Sequence, residues 1–184
     1  MIKVYKDFFD PDCLKYIEES IEKSKNGANL RTSYPTKDIW QPSIIQESTP
    51  VMIYDMSDGT DILVQKLKEI IDIKNFVNFM IYYWPMGSYI PWHNDAHASC
   101  TATLYCNRYW HRDWGGLFLY EEGDNILAVV PEWNKLVVQT NEDWHSTTSV
   151  TKPYYRPVAV DGSGFNMIPD IRTTIQIFEL KDKG

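Results

Sequence analysis

The chain has 184 residues and a formal net charge of -7, long enough for one domain with a sizeable core and too short for two comfortable ones. The acidic balance, with no basic stripe to follow phosphates, argues against a nucleic-acid partner, and no apolar run nears the ~20 residues of a membrane span. Cys13, Cys100 and Cys106 are odd in number and contain no Cys-x-x-Cys, so no disulfide framework is expected and a reduced, cytoplasmic setting fits.

The first residues, Met1 to Asp7, lack the apolar stretch of a signal peptide. Residues 3 to 9 are short and β-like. Asp10 then reads as an N-cap with Pro11 at the first helical position, and Leu14, Ile17 and Ile21 follow at helical spacing until Asn26-Gly27 stops the helix. From Leu30 to Met56 no clean period appears. Pro35, Pro42 and Pro50 punctuate an irregular flap with short strands, whose large apolar residues are Tyr34 and Trp40. A second helix is expected from about Thr60 to Ile73, with Leu63, Leu67, Ile70 and Ile71 on one face.

Strands follow. Phe76 to Trp84 is a continuous β-prone run, and Pro85-Met86-Gly87-Ser88 turns the chain. Cys100 to Cys106, Leu117 to Tyr120, Ile126 to Val130 and Leu136 to Thr140 are further strands, with Gly115-Gly116, Gly123-Asp124-Asn125 and Glu132-Trp133-Asn134 at the breaks. Val150 to Val160 is interrupted by Pro153 and Pro157, Asp161-Gly162-Ser163-Gly164 reads as a flexible loop, and Thr173 to Leu180 is a final strand. Two helices and then about eight strands predict a mainly β fold with flanking helices: a jelly roll buttressed by its N-terminal part. The expected layout is a single domain over 1–184, with 1–75 as helical support and flap and 76–184 as jelly-roll core.

Between the strands lies Trp92-His93-Asn94-Asp95. On an extended segment His93 and Asp95 leave the same face. His145, in Glu142-Asp143-Trp144-His145-Ser146-Thr147, supplies a distant second imidazole. Two imidazoles and a carboxylate make a facial triad, which holds Fe(II) by one face and leaves three positions for ligands. His-x-Asp alone is a weak motif. His97, four residues after His93, lacks the Glu and helix of a zinc-protease motif and reads as a rim residue, and His111 reads as a solvated loop residue. Tyr83, Tyr89 and Trp92 are candidates for either a substrate mouth or the core, and Cys100 and Cys106 for small buried residues.

From about Phe76 to Phe178 the chain resembles the Fe(II)- and 2-oxoglutarate-dependent oxygenases, in particular their prolyl 4-hydroxylase-like branch. Trp84-Pro85-Met86-Gly87 stands where the family has Tyr-x-x-Gly. Thr103-Leu104-Tyr105-Cys106-Asn107 resembles the strand ending in Tyr-Leu-Asn, and Asp113-Trp114-Gly115-Gly116-Leu117-Phe118 the Gly-Gly turn. Val130-Pro131 with Leu136-Val137-Val138 resembles the strand pair before the distal histidine; Asp7-Phe8-Phe9 and Arg31-Thr32-Ser33 also match. The resemblance implies a double-stranded β-helix in which His93, Asp95 and His145 are the catalytic metal ligands, with Fe(II), 2-oxoglutarate and O2 as cofactor and co-substrates. It also implies an Arg for the far carboxylate, a role suited to a planar guanidinium. Arg156 is nearer by count but precedes Pro157. Arg172, heading Arg172-Thr173-Thr174-Ile175-Gln176-Ile177-Phe178, fits the strand pattern and is preferred, although it requires an insertion of roughly eighteen residues. Tyr105 is the expected second donor.

The substrate is not written in the motifs. Two aromatic-rich segments, Leu30 to Met56 and Lys152 to Ile171, would frame the mouth as flaps, which suits a prolyl residue in a peptide or protein; a free amino acid or other small molecule is the alternative. A Zn(II) or Mn(II) jelly-roll hydrolase or isomerase and a non-catalytic binding module remain open as other classes. Nothing in the sequence speaks to oligomeric state.

Overall fold

The structure, a computed structural model, describes residues 2–25, 30–33, 48–56, 58–140, 143–151, 154–160 and 164–181, of which 33, 154–160 and 164–170 by backbone alone. The chain opens with strand β1 (Ile2–Tyr5) and helix α1 (Pro11–Lys25). Asp10 caps α1 as its sequence suggests: Oδ1 accepts the Cys13 backbone N–H at 3.0 Å, an amide with no partner inside the helix. The expected stop at Asn26-Gly27 lies outside the described residues, as do Tyr34 and Trp40 of the expected flap. The flanks of that segment are strands, β2 (Arg31–Ser33) and β3 (Val51–Met56).

Helix α2 (Asp61–Leu67) is shorter than its apolar pattern predicts. Past Leu67 the chain tightens into turns, with Glu69 N–H donating to Lys66 O and Ile70 N–H to Leu67 O. Ile70 and Ile71 still pack against the core, so the pattern reports their burial and not a continuing helix. Ten strands follow: β4 (Val77–Trp84), β5 (Ile90–His93), β6 (Ala98–Tyr105), β7 (Phe118–Glu122), β8 (Asn125–Val129), β9 (Leu136–Gln139), β10 (His145–Thr147), β11 (Tyr154–Val160), β12 (Gly164–Asp170) and β13 (Arg172–Leu180). No described helix is long and apolar enough to cross a membrane.

The strands form a seven-stranded sheet, β1-β9-β6-β13-β4-β3-β2, facing a four-stranded sheet, β5-β10-β7-β8. This is the jelly roll that the strand pattern predicts, with more strands than expected. The stretch from Lys152 to Ile171 departs further from expectation. Instead of an irregular flap it holds a regular hairpin, β11 against β12, with Pro157 opposite Met167. Each strand of an isolated hairpin keeps one unpaired edge, so proline is tolerated there as it would not be inside a sheet.

Strand β13 is the centre of the larger sheet, paired with β4 and β6 along its length. Side chains alternate along it. Ile175 and Ile177 join Phe79, Ile81, Ala102, Leu104 and Leu136 on one face, where Cys13, Ile17, Leu63 and Leu67 of the helices cover them. The other face looks toward the small sheet, and the register stacks it in four rungs: Arg172 beside Trp84; Thr174 between Tyr105 and Tyr82; Gln176 between Thr103 and Met80; and Phe178 beside Thr101, itself opposite Gln139. Successive rungs are two residues apart, about 7 Å.

The N-terminal segment is fastened to this barrel through Asn134, a buried residue with a φ of 57°. Its Oδ1 accepts the Phe9 N–H at 2.9 Å and its Nδ2 donates to the Phe9 carbonyl at 2.9 Å. Asn134→Ala deletes both buried bonds and puts a Cβ-bearing residue without a local hydrogen bond at positive φ. A loss of about 3 kcal/mol is expected in urea unfolding, with Asn134→Gly the milder variant because it relieves the backbone strain.

Candidate active site

Strand β5 ends at His93, Asp95 follows in the turn, and His145 opens β10 directly opposite His93 in the antiparallel ladder. Residues some fifty positions apart in sequence therefore meet because two short strands pair. Each imidazole is oriented through Nδ1, which lies 2.7 Å from Pro91 O in His93 and 2.9 Å from Asp143 O in His145. A carbonyl can only accept, so both Nδ1 atoms carry the proton and both Nε2 atoms present a lone pair. Those Nε2 atoms face Asp95: His93 Nε2 is 3.8 Å from Oδ1 and His145 Nε2 is 3.6 Å from Oδ2. The separations exceed hydrogen-bond range, yet all three ligand atoms lie within 4.8 Å of one another.

The electrostatics suit a cation between them. Burial, and then the neighbouring His145, pushes the His93 imidazole down to about 4, and burial lowers His145 as well. Both are neutral at physiological pH, the form that binds metal. Asp95 Oδ1 is buried and has no hydrogen-bond partner, a costly condition for a carboxylate that a bound ion would relieve. Phe118 stacks on the His145 ring at a centroid distance of 5.2 Å and limits its rotation. His93, Asp95 and His145 thus fit a divalent metal of the facial-triad kind.

Above the triad opens a cavity lined among others by Tyr82, Thr103, Phe118, Gln139, Gln176 and Phe178. Its floor is cross-linked: Thr103 Oγ1 donates to Gln176 Oε1 at 2.8 Å, Gln176 Nε2 to Thr174 Oγ1 at 3.2 Å, and Trp84 Nε1 to the same Oγ1 at 2.9 Å. This chain of bonds leads from the cavity toward Arg172.

Arg172 is 1% exposed. Its guanidinium carbon sits 4.9 Å from the Trp84 ring centroid and 5.6 Å from that of Tyr105. Among the described residues no carboxylate pairs with it, and Arg172 Nε, Arg172 Nη1 and Tyr105 OH are buried without a hydrogen-bond partner. Burial pushes the guanidinium down to about 10 and the Tyr105 phenol up to about 12, so at neutral pH one is a cation and the other a neutral donor. Two unpaired donor groups side by side make a receptor for an anion. Gly116 closes over them with a φ of 65°, and a Cβ there would lie 2.6 Å from Arg172 Cδ and Nε, so the glycine is needed for close approach. Arg156 belongs to β11, opposite Ile168 in the hairpin, and only its backbone is described.

His97 is exposed, its ring 5.5 Å from that of Phe178; His111 is exposed and accepts the Asp113 N–H. Cys100 is buried and Cys106 half-buried. Tyr83 packs on the helical side, with its hydroxyl near Ser24 and Ile21 O, and neither it, Tyr89 nor Trp92 lines the cavity. Sequence reasoning missed Thr101, Thr103, Gln139 and Gln176; their alternation with apolar neighbours was the available signal, and it identifies a face only once the register is known. His145→Ala or Asp95→Ala should weaken Mn(II) or Fe(II) binding by more than about a hundredfold, read by anaerobic titration calorimetry, while the thermal melt of the metal-free protein stays cooperative.

Comparison with known proteins follows the same line. Residues 77–160 match the profile of the 2OG-Fe(II) oxygenase superfamily. No curated protein sequence matches the chain. Among solved structures, a Pseudomonas putida prolyl-4-hydroxylase superposes with a TM-score of 0.67 at 14% identity, over 98% of this chain and 92% of that one. A Trichoplax adhaerens prolyl hydroxylase, in complex with a hypoxia inducible factor oxygen degradation domain peptide fragment, gives 0.70 at 12% identity over 99% and 84%. A Burkholderia pseudomallei oxidoreductase of the 2OG-Fe(II) oxygenase family gives 0.61 at 11% identity over 96% and 84%. The profile match runs from β4 through β11 and includes all three triad residues, so this part of the chain is similar to the 2OG-Fe(II) oxygenase superfamily, and the chain as a whole has a prolyl-4-hydroxylase-like fold.

Proposed function

We propose that this dioxygenase hydroxylates a prolyl residue of a peptide or protein, with His93, Asp95 and His145 as its iron ligands and Arg172 and Tyr105 as the clamp for 2-oxoglutarate. The observation that carries the clamp is the buried, unpaired guanidinium of Arg172 on the same face of β13 as Gln176, a cavity residue. The prolyl reading is supported by likeness of fold to prolyl hydroxylases, one of them holding a peptide fragment.

With Fe(II), 2-oxoglutarate and O2 bound, the family's reaction decarboxylates 2-oxoglutarate to succinate and CO2 and inserts one oxygen atom into a substrate C–H bond. The residues of this chain bind, orient and exclude water. The Nδ1 bonds of His93 and His145 fix both rings before any metal arrives, which limits the reorganisation on loading. Arg172 offers parallel N–H donors to a carboxylate and Tyr105 adds an O–H, while the Trp84 ring keeps water from the guanidinium. Thr103, Gln176 and Thr174 satisfy one another, so the channel floor between clamp and triad is polar yet preorganised. Ile90 and Phe118 form the apolar wall beside the metal position and keep the reacting centre dry.

Arg172→Met separates binding from folding. Removing an uncompensated buried cation should leave the melting temperature of the metal-free protein unchanged or higher. Affinity for 2-oxoglutarate should fall by more than tenfold, in line with ~2–5 kcal/mol for a buried charge-assisted pair. Arg156→Met should change it much less; the reverse ranking would move the clamp to Arg156. For the substrate, the test is mass spectrometry of proline-containing peptides after aerobic incubation with Fe(II) and 2-oxoglutarate. One added oxygen on proline, with succinate formed in step, is expected. Oxidation of free proline or another small molecule, with every peptide untouched, would overturn the prolyl-peptide reading.

A further inference from the structure

The four rungs of the inner face differ in how their polar atoms are satisfied. Gln176 and Thr103 bond each other. One rung further from Arg172 stand Gln139 and Thr101, cross-strand partners on β9 and β6. Both line the cavity that contains the triad, and they are 3% and 7% exposed. Thr101 Oγ1 is buried with no hydrogen-bond partner, and no hydrogen bond to the Gln139 carboxamide is formed by any described residue. Phe178, next to Thr101 in the register, gives the rung an apolar flank.

We propose that Gln139 and Thr101 form a substrate-anchoring subsite that recognises an amide group of the molecule to be hydroxylated. The proposal rests on the reading of the protein as an oxygenase of peptides. A carboxamide and a hydroxyl together present both a donor and an acceptor and carry no charge. An anion would be served better by a cation, as at Arg172, and an ammonium by a carboxylate; neither stands on this rung. The complementary group is neutral and both donates and accepts, which describes a peptide amide. The location agrees. Arg172 heads the inner face three rungs away, so an amide held at Gln139 lies at the opposite end of the cavity floor from the 2-oxoglutarate clamp. A polar atom left unpaired inside a protein lowers its stability, and the buried, unpaired Thr101 Oγ1, beside a rung whose polar groups bond one another, breaks the packing rule where a ligand can repair it.

The test is a comparison of amide with ester. A panel of N-acetyl-X-N-methylamides, with X running through proline and the other amino acids, is titrated anaerobically into protein loaded with Fe(II) and 2-oxoglutarate, and the best binder is compared with its methyl ester. The ester keeps the carbonyl and loses the N–H. Wild-type protein should favour the amide by about tenfold, the size of one well-placed hydrogen bond; Gln139→Leu should erase that preference, and Thr101→Val, nearly isosteric, should weaken amide binding more than ester binding. Thr101→Val should not melt below wild type, since it removes an unsatisfied buried hydroxyl; should Gln139→Leu fail to fold, Thr101→Val decides alone. An amide preference that persists unchanged in the variants overturns the proposal, as does a panel in which no amide binds or the ester binds equally well. A best binder whose X is not proline sinks the prolyl reading and leaves the subsite standing.

Discussion

A strand at the centre of an antiparallel sheet has to serve two environments at once, and β13 divides them by residue parity. Its odd-numbered inner-sequence positions, Ile175 and Ile177, belong to the core beneath the helices; its even ones, Arg172 through Phe178, belong to the barrel interior. The apolar face supplies the burial that drives folding, so the inner face is free to carry polar groups. Pairing on both sides also holds β13 rigidly. A guanidinium mounted there is placed by the sheet itself, a firmer support than any loop.

From that division follows an electrostatic layout along one face. At one end sits a buried cation with a neutral phenol beside it; toward the other, two imidazoles kept neutral by burial surround a carboxylate. The two charged groups answer to different ligands, an organic anion and a metal ion, and the rungs between them hold only neutral polar groups. In a low-dielectric interior such separation matters, since an unscreened Arg172 next to the metal position would repel the ion that Asp95 attracts. The satisfied Thr103–Gln176–Thr174 chain fills that interval without adding charge.

How much of this the sequence discloses depends on whether a feature is local. The α1 cap is local, and Asp10-Pro11 shows it. His93 and Asp95 are legible as a same-face pair, but their meeting with His145 depends on the β5–β10 register, which no spacing reveals. Arg172 stands out over Arg156 because a strand pattern follows it. The β11–β12 hairpin is misread because Pro157 is a breaker in a sheet interior and harmless in an isolated pair. Helix α2 is overextended because Ile70 and Ile71, half-buried, pack against the core from a turn. Asn134 is invisible for a different reason: its two side-chain bonds reach Phe9, 125 residues away, and nothing in Trp133-Asn134-Lys135 announces them. Gln139 and Thr101 look like ordinary strand residues until the rung assigns them a face.

The hairpin explains why the arginine lies so far along the chain from the last triad residue without disturbing the site. The position of β13 is set by eight residue pairs with β4 and seven with β6, none of which involves the connection that precedes it. Lengthening a connection between fixed ends costs only about 0.6 kcal/mol per doubling, small beside the pairing it leaves intact. A hairpin whose two strands pair with each other, as β11 and β12 do, reduces the cost further, because the inserted residues supply part of their own backbone pairing without partners in the barrel. The spacing between His145 and Arg172 is therefore free to vary while the strand pattern that follows the arginine is not. For the same reason pattern outranks count when such a residue is sought in sequence.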